Sequence, residues 1–524
     1  MDGQTREGSG RVSEKKPESK LSEIILFIVV FAMALAFYMI PVNGLPFGDV
    51  DASTHFGLGD NVGQNGDFSL NVPYYLNFTY GFANDGKMWY HPLMPYMIGI
   101  SQMVSGSRII APFVLFALLS CLFIPFTVLL TKRLFGLWPA VMTVPLLLYS
   151  VRDFTTYAWG LWPERASWSL IPIILLLAYS YFDKKSLWKP IVIGVLLGIQ
   201  GSFHIQGVMM TIPIILLYAG YLWIKDKKLP FKWVDVAVPA CLMILILLPS
   251  FSGLFNYNKN MNNQDHLHLQ EFGTLLNWYP ENIPYAPWVS DTTITYYHLP
   301  YYLIIICVAF FFLLGLKDLK TRDGTVLYGL WLFTLYCMMH LNVIGFSARI
   351  HRFVNSEGMI ILSIMGIVAY LIVDMPAKKW KDISFFKYAK IAIPVMLLVL
   401  LGFGAVTVAR NTYPDEVRVN EYQLDACEWV RTNTAEDIHL RLIGTPIYYE
   451  RKWIQVLCQR QSVYDDTTID GWDSEYINLT THIFFDKTIS LYTNRSMRIN
   501  ATGLNKIYEN PYVEVYEYEN NIAS

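Results

Sequence analysis

Two aspartates and a histidine follow directly on the first long apolar segment of the chain: Asp49, Asp51 and His55. A carboxylate held beside apolar groups is desolvated, which raises its pKa and makes it a better general base. Asp49 and Asp51 could instead share a divalent cation, Mg²⁺ or Mn²⁺, through their oxygen atoms. A polar turn at a helix end accounts for the same residues, because Gly and Asp both favour turns. From the residues alone, three interpretations of these aspartates stay open: a general base, a pair of metal ligands and a polar turn.

Glu164 is a second acidic candidate, and it follows Trp162 and Pro163 at the start of another apolar segment. The helix macrodipole alone favours an acid in a first helical turn. The alternative is that Glu164, like His55, contacts the acceptor substrate or a metal ion. Nearby, Arg152, Asp153 and Arg165 could equally be an ordinary surface cluster.

Two more histidines are candidates without an assigned role. His91 lies in the Pro-rich aromatic stretch 87–96, and His204 lies near the end of an apolar segment. An ionisable group in a membrane segment is a functional candidate by default, because burying its charge in hydrocarbon is costly. For His204 the alternative is a hydrogen-bonded packing residue.

A cationic cluster lies between two apolar segments near the middle of the chain, and it contains Arg349, His351 and Arg352. A phosphate group bound at membrane depth needs cations, and the guanidinium group matches phosphate geometry. These three residues and Lys87 are therefore candidates for binding a phosphate group. Headgroup anchoring of a helix end remains the alternative for the cluster.

The amino-acid composition indicates which class of protein holds these candidate residues in place. The chain has 524 residues, of which 54% are hydrophobic and 16% charged, and its mean hydropathy is +0.33. Soluble domains carry about 25% charged residues. A soluble enzyme, a disordered scaffold and a small disulfide-rich domain are thus excluded. The net charge of −2, from 40 basic and 42 acidic residues, gives no excess for binding nucleic acid.

Apolar segments of membrane-spanning character recur along the chain, and each needs ~20 residues to cross the hydrocarbon as a helix. We predict eleven spans, near 24–41, 109–131, 137–151, 168–182, 190–205, 207–224, 234–250, 300–316, 325–341, 358–374 and 391–408. A further apolar stretch, 97–104, is too short to span and is predicted to be a helix lying in the membrane interface.

Charge alternates between the connecting loops. Lysine and arginine gather near 15–20, 132–133, 184–189, 225–232, 317–322 and 378–381. Because short basic loops stay cytoplasmic, we expect a multi-pass protein of the cell membrane with its N-terminus inside and its C-terminus outside. The predicted parts are a disordered cytoplasmic tail (1–22), a transmembrane domain (23–408) with a large first outer loop (42–107), and an extracytoplasmic domain (409–524).

The pattern changes in the C-terminal part. Residues 422–433 have helical spacing, whereas 453–457 and 513–518 alternate or bunch as strands do. A small α/β domain is the natural interpretation. Cys427 and Cys458 both lie in it, and the spacing leaves open whether a disulfide joins them.

Three features together resemble the GT-C superfamily of polyprenyl-phosphate-sugar-dependent membrane glycosyltransferases. They are the acidic pair after the first span, the Pro-rich aromatic stretch ahead of an interfacial helix, and Lys132-Arg133-Leu-Phe-Gly136 closing the second span. This broad group includes the protein mannosyltransferases and the aminoarabinose transferases. The resemblance implies a GT-C-like helical fold with a catalytic aspartate in the first outer loop. By position that aspartate is Asp49 or Asp51; many members have adjacent Asp-Glu there, so the choice stays open.

The C-terminal part resembles the outer domains of archaeal GT-C enzymes, including oligosaccharyltransferase-like ones. The Trp-Trp-Asp-Tyr-Gly motif of true oligosaccharyltransferases is absent, and residues 448–453 read Tyr-Tyr-Glu-Arg-Lys-Trp instead. This departure argues against transfer to a peptide sequon.

The leading hypothesis is an inverting hexosyltransferase that acts at the extracytoplasmic face, with Asp49 or Asp51 as general base. Its donor would be a polyprenyl (dolichyl)-phosphate sugar, and its acceptor a glycan, a lipid or a protein. One alternative is a metal-dependent, oligosaccharyltransferase-like enzyme that uses Asp49, Asp51 and Glu164 as ligands. Another is a transporter or lipid flippase, although the internal repeat and mid-helix charges typical of transporters are not seen in the sequence.

Overall fold

The computed structural model describes residues 20–48, 50–66, 68, 72–77, 91–148, 150–261, 301–319, 321–344, 353, 356–379, 388–389, 391–400, 402–403, 419–445, 448–464, 480–488, 498–500 and 502–518. Five candidate site residues lie outside these ranges: Asp49, Lys87, Arg349, His351 and Arg352. The predicted tail 1–22 also falls mostly outside them. The structure therefore bears on Asp51, His55, His91, Glu164 and His204.

The first four-fifths of the described chain is helical. Its helices are α1 (Lys20–Tyr38), α2 (Val50–Asn65), α3 (Tyr74–Asn77), α4 (Leu93–Ser105), α5 (Ile110–Cys121), α6 (Phe123–Phe135), α7 (Leu137–Leu148), α8 (Val151–Ala158), α9 (Trp162–Ser169), α10 (Ile171–Asp183), α11 (Trp188–Phe203), α12 (Ile205–Asp226), α13 (Trp233–Met261), α14 (Tyr301–Gly315), α15 (Arg322–Met339), a 3₁₀ turn (Leu341–Ile344), α16 (Glu357–Lys379) and α17 (Ile391–Leu400).

A helix overlaps each of the eleven predicted spans. Among the described residues, six helical segments are long and apolar enough to cross a membrane: Leu21–Tyr38, Ile110–Phe135, Trp162–Asp183, Ile205–Asp226, Trp233–Ser250 and Glu357–Asp374. Shorter apolar helices occupy Leu137–Leu148, Trp188–Phe203, Ile304–Gly315 and Ile391–Leu400. These helices make the chain a membrane protein, while the number of crossings and their direction stay predictions.

The segment predicted as a first outer loop contains helices α2, α3 and α4. The predicted interfacial helix 97–104 is present as α4, and it packs closely on α2. A Cβ atom at Gly59 of α2 would lie 2.3 Å from the Cβ of Ile98, and one at Gly99 of α4 would lie 2.5 Å from a Val62 methyl group. Small residues on both helices therefore permit this close crossing, which fixes α2 against α4.

The predicted C-terminal α/β domain is present. Its strands are β1 (His439–Ile443), β2 (Gln461–Tyr464), β3 (His482–Asp486), β4 (Leu504–Glu509) and β5 (Val513–Tyr518), in the order β2-β1-β3-β5-β4. β1 pairs in parallel with β2 and β3, and β5 pairs antiparallel with β3 and β4. Two helices accompany the sheet, α18 (Glu421–Asn433) and α19 (Tyr448–Cys458). Asn420 and Gln423 form a capping box at the start of α18.

The prediction of a strand at 453–457 is wrong, because these residues belong to α19. Trp453, Ile454 and Leu457 are all fully buried, since α19 packs between α2 on one side and α18 on the other. A short apolar run buried on every side carries no helical periodicity, so periodicity cannot distinguish it from a buried strand. Cys458 of α19 and Cys427 of α18 are both buried and carry free thiols.

Candidate functional site

Asp51 lies in the first turn of α2 and is half-buried. The unpaired backbone N–H groups of a first turn and the macrodipole favour a negative charge there. His55 follows one turn later on the same side of the helix and is 2% exposed. Thus α2 presents a carboxylate and an imidazole from neighbouring positions.

The turn before Asp51 is held by the C-terminal domain. The indole Nε1 of Trp453 donates a hydrogen bond of 2.9 Å to the carbonyl oxygen of Gly48. Gly48 has φ +112°, and a Cβ there would lie 2.4 Å from the Cβ of Ala52, so only glycine fits. The Trp453 ring also packs on Phe56 of α2, with ring centroids 5.5 Å apart. A residue from α19 therefore sets where the chain enters α2.

The loop ahead of α9 packs on the same turn of α2. Gly160 has φ +94°, and a Cβ there would lie 2.2 Å from the Cβ of Ala52. Glu164, four residues later, lies in the first turn of α9 and is 1% exposed. This contact brings the two acidic segments predicted from the sequence into the same part of the molecule.

Glu164, His204 and His91 form a buried cluster. Nε2 of His204 lies 3.7 Å from Oε1 of Glu164, and the rings of His204 and His91 are 5.8 Å apart in an edge-to-face arrangement. Nδ1 of His204 accepts the backbone N–H of Gln206 at 3.4 Å, so in the neutral ring the proton is on Nε2, facing Glu164. Burial lowers the pKa of His91 from 6.5 to about 4, so this ring is neutral near pH 7.

Hydrogen bonds fix α9 against the corner between α11 and α12. The hydroxyl of Ser167 donates to the carbonyl oxygens of Gln200 (2.9 Å) and His204 (2.7 Å). In return, Nε2 of Gln200 donates to the carbonyl oxygen of Ser167 at 2.9 Å. Because the same helix carries Glu164, these bonds hold the Glu164–His204 distance.

The expectation of a surface cluster at Asp153 and Arg165 is wrong. Nη1 of Arg165 lies 3.1 Å from Oδ1 of Asp153, and the two side chains are 2% and 1% exposed. Arg165 also donates to the hydroxyls of Thr156 and Tyr38, each at 2.8 Å. α8 and α9 fold back on the end of α1 and bury the pair, which holds α9 in place at the residue next to Glu164. A charged pair among apolar helices was the available signal.

A second buried ion pair, which sequence reasoning missed, joins α2 to the connection between α4 and α5, and residues of the C-terminal domain complete its network. Arg108 contacts Asp60 through Nε (3.0 Å to Oδ1) and Nη2 (2.7 Å to Oδ2), and Asp60 is fully buried. Gln102 of α4 and Gln459 after α19 also donate to the Asp60 carboxylate, at 3.0 and 2.8 Å. Arg108 extends the network to Glu428 of α18 at 2.9 Å.

An apolar cavity of about 240 Å³ lies between α14, α15 and α16. Ile304, Val308, Leu332 and Ile361 are among its lining residues, and the buried Glu357 is its acidic member. It adjoins the start of α16, which follows the connection that carries Arg349, His351 and Arg352 in the sequence.

In the described ranges no group of three or more His, Cys, Asp or Glu side chains could hold a metal ion. The predicted ligand set of Asp49, Asp51 and Glu164 includes Asp49, which lies outside those ranges. The metal hypothesis therefore stays a prediction.

Solved structures with the same architecture decide the fold. ArnT from Cupriavidus metallidurans bound to undecaprenyl phosphate aligns with a TM-score of 0.55 at 12% identity, covering 97% of this chain and all of that one. The chain has the GT-C fold. The archaeal oligosaccharyltransferase AglB from Archaeoglobus fulgidus, in complex with an inhibitory peptide and a dolichol-phosphate, aligns with a TM-score of 0.57 at 11% identity, covering 90% of this chain and 70% of that one.

The resemblance inferred from the sequence motifs is thereby confirmed at the level of the fold. Neither protein-family sequence models nor curated protein sequences match the chain. At 11–12% identity the GT-C fold does not transfer residue roles, so those rest on the geometry described above.

Proposed function

We propose that the chain is a membrane glycosyltransferase that takes its sugar from a polyprenyl-phosphate donor. The observation that carries the proposal is the alignment over 97% of the chain with ArnT, a structure bound to undecaprenyl phosphate. The AglB structure contains a dolichol-phosphate, which belongs to the same chemical class of lipid. The half-buried Asp51, next to the end of the first membrane helix, supplies the carboxylate that such a reaction needs.

In the proposed reaction Asp51 or Asp49 acts as general base. The carboxylate takes the proton of an acceptor hydroxyl as its oxygen attacks the anomeric carbon, and the bond from that carbon to the phosphate oxygen breaks. One displacement inverts the configuration at this carbon. Arg349, His351, Arg352 and Lys87 are the proposed partners of the departing phosphate. The transferred sugar is proposed to be a hexose.

The proposed donor enters from the bilayer. The 240 Å³ cavity beside Glu357 has apolar walls suited to a prenyl chain, and Glu357 follows the candidate phosphate-binding cations closely in the sequence. A prenyl chain gains about 25 cal/mol for each Å² of apolar surface removed from water. In a membrane that gain is small, so the cavity serves to position the donor rather than to capture it.

The reaction is proposed to occur on the extracytoplasmic face. Trp453 and Gln459 of the C-terminal domain contact α2 directly, so this domain and the candidate base lie on one side of the helical domain. In the sequence the lysine-rich connections alternate with the loops that carry the candidate residues, and short basic loops remain cytoplasmic, which supports the opposite assignment for the candidate site. Glu164 and His55, with His91 and His204 behind Glu164, are proposed to contact the acceptor.

The proposal is tested by sugar transfer from a panel of polyprenyl-phosphate sugars to candidate acceptors, with the purified chain in nanodiscs. We expect Asp51→Asn or Asp49→Asn to lower the rate by roughly 10²–10⁴-fold, the range for loss of a positioned general base. Asp226→Asn is the matched control, because this exposed residue undergoes the same chemical change at the far end of α12. Wild-type rates in both Asp51→Asn and Asp49→Asn would refute the assignment.

Two measurements separate the alternatives. Loss of transfer on adding a chelator, restored by Mg²⁺ or Mn²⁺, would favour the metal-dependent, oligosaccharyltransferase-like enzyme. Solute or lipid flux across vesicles without any sugar transfer would instead favour a transporter or flippase.

A further inference from the structure

A second cavity, of about 290 Å³, lies between helices α10, α11, α12 and α13. Its walls are almost wholly apolar and include Ile193, Leu197, Ile215 and Met243. Leu216 also lines it and is 59% exposed, so the cavity reaches the surface that faces lipid. The size is close to the lower end of the range for ligand sites, about 300 Å³.

The mouth of the cavity is far from the candidate site. Pro190, near the start of α11, lines it, whereas His204 follows the end of the same helix. At 1.5 Å per residue the two ends of α11 are roughly 20 Å apart, and the inner wall at Leu197 is about 10 Å along the helix from His204. The group bound at the mouth is therefore distinct from the acceptor and the transferred sugar.

Aromatic residues mark the depth of its mouth. Trp188 and Trp233, at the starts of α11 and α13, are 54% and 84% exposed. Exposed tryptophans of membrane helices concentrate at headgroup depth. The cavity therefore extends from the headgroup layer into the hydrocarbon.

Positive charge surrounds the mouth. Nζ of Lys185 lies 4.2 Å from the ring centre of Tyr181, which lines the cavity, and Lys184 and Lys232 are exposed beside it. The acidic member of the rim, Asp235, accepts hydrogen bonds from the hydroxyl of Tyr181 and, at 2.9 Å, from the backbone N–H of Lys232.

The other charged groups near the mouth have partners within the protein. Nζ of Lys189 donates to the carbonyl oxygens of Ser180 (2.6 Å) and Lys184 (2.9 Å), and Asp183 pairs with Arg133 at 2.7 Å. The carboxylate of Asp235 also interacts with Lys185 and Lys232 and offsets one of their charges, so the three ammonium groups of Lys184, Lys185 and Lys232 leave the rim with a net positive charge. Basic pockets between membrane helices on the cytoplasmic side are suited to anionic lipid headgroups.

We propose that this cavity binds an anionic phospholipid of the lysine-rich leaflet, with an acyl chain between α10, α11, α12 and α13 and the phosphate between Lys185 and Lys232. The apolar walls match the acyl chain of such a lipid, and the cationic rim matches its anionic headgroup. A zwitterionic phospholipid fits the walls equally well but gains less from the rim. Free phosphate lacks the part that fills the cavity.

The test is native mass spectrometry of the full chain, titrated with phosphatidylglycerol or with phosphatidylcholine of the same acyl chains. Each lysine near a membrane surface contributes about 1 kcal/mol to anionic lipid binding, so two contribute roughly thirtyfold in affinity. We expect phosphatidylglycerol to bind more tightly by about that factor. Excess inorganic phosphate should leave the bound phosphatidylglycerol in place.

Two pairs of variants separate the rim from the walls. K185Q/K232Q should lower phosphatidylglycerol binding to the level of phosphatidylcholine, whereas K227Q/K228Q, an equal charge change at exposed residues after α12, should not. Ala240→Phe, which fills the cavity, should lower binding of both lipids, whereas Ala237→Phe on the exposed side of α13 should not.

Equal binding of the two lipids, displacement by inorganic phosphate, or binding of neither lipid would each overturn the proposal. So would the same effect from a control pair as from its test variant. Sugar-transfer activity does not enter the readout, so the test stands apart from the proposed function.

Discussion

The buried ion pair between Asp60 and Arg108 gives the sharpest test of how the C-terminal domain holds α2. Asp60→Asn removes the negative charge while keeping nearly the same volume. Asp60 is fully buried and the Arg108 side chain is 12% exposed, so the substitution leaves a guanidinium group with little water around it. Removing one partner of a buried ion pair costs about 3–5 kcal/mol.

The remaining contacts of Arg108 place the loss near the lower end of that range. Its second acidic partner, Glu428, is 47% exposed, and exposed pairs contribute about 0–1 kcal/mol. We therefore expect Asp60→Asn to lower the free energy of unfolding by about 3 kcal/mol. The measurement is the unfolding transition of the purified chain in detergent, followed by tryptophan fluorescence, since the ring of Trp453 in α19 packs on Phe56 of the affected helix α2.

A double-variant cycle isolates the pair. Asp60→Leu combined with Arg108→Met leaves no buried unpaired charge, so the double variant should be more stable than Asp60→Leu alone. Glu428→Gln is the control and should cost about 1 kcal/mol or less. Wild-type stability of Asp60→Asn, or simple additivity in the cycle, would refute this account of the domain contact.

Three other substitutions test the elements around the candidate site. Gly59→Ala places a Cβ 2.3 Å from the Cβ of Ile98 and should cost about 1–3 kcal/mol in thermal unfolding, with partial recovery on adding Ile98→Ala. Trp453→Phe keeps an aromatic ring but loses the hydrogen bond to Gly48, worth about 1 kcal/mol, and part of the buried indole volume, so sugar transfer should slow and Tm should fall. Burial lowers the pKa of His91 from 6.5 to about 4, so protonation of the ring opposes folding. The free energy of unfolding therefore falls by about 3 kcal/mol as the pH falls from 6.5 to 4. His91→Gln should show a smaller fall in Tm over that interval.

The sequence predicts the fold and the positions of single candidates, because both depend on local pattern. Long apolar runs identify the membrane helices, and polar residues at their ends identify Asp51, Glu164 and His204. The cluster of Glu164 with His204 and His91 depends on how α9 packs on the corner between α11 and α12. No spacing in the chain contains that information.

The sequence also does not reveal the buried ion pairs, because they too depend on tertiary packing. Asp60 lies on a helix inside a predicted loop, and Arg108 lies before the second apolar segment, so the sequence around each residue is typical of a solvent-exposed position. Only the docking of α4 and the C-terminal domain on α2 buries them. α19 was predicted as a strand for a related reason: burial on all sides removes the periodicity that identifies a helix.

The two contacts of the C-terminal domain with α2 have a joint consequence for catalysis. A single contact would fix one point of the helix and leave it free to rotate about its own axis, which would move Asp51 around that axis. Trp453 holds the chain at Gly48, and the Gln459 side chain holds it at Asp60, twelve residues further on and roughly 15–20 Å along the helix. Two fixed points prevent the rotation. Since a misplacement of about 1 Å can cost 10²-fold in rate, we infer that the C-terminal domain contributes to the proposed reaction by holding the direction in which Asp51 points.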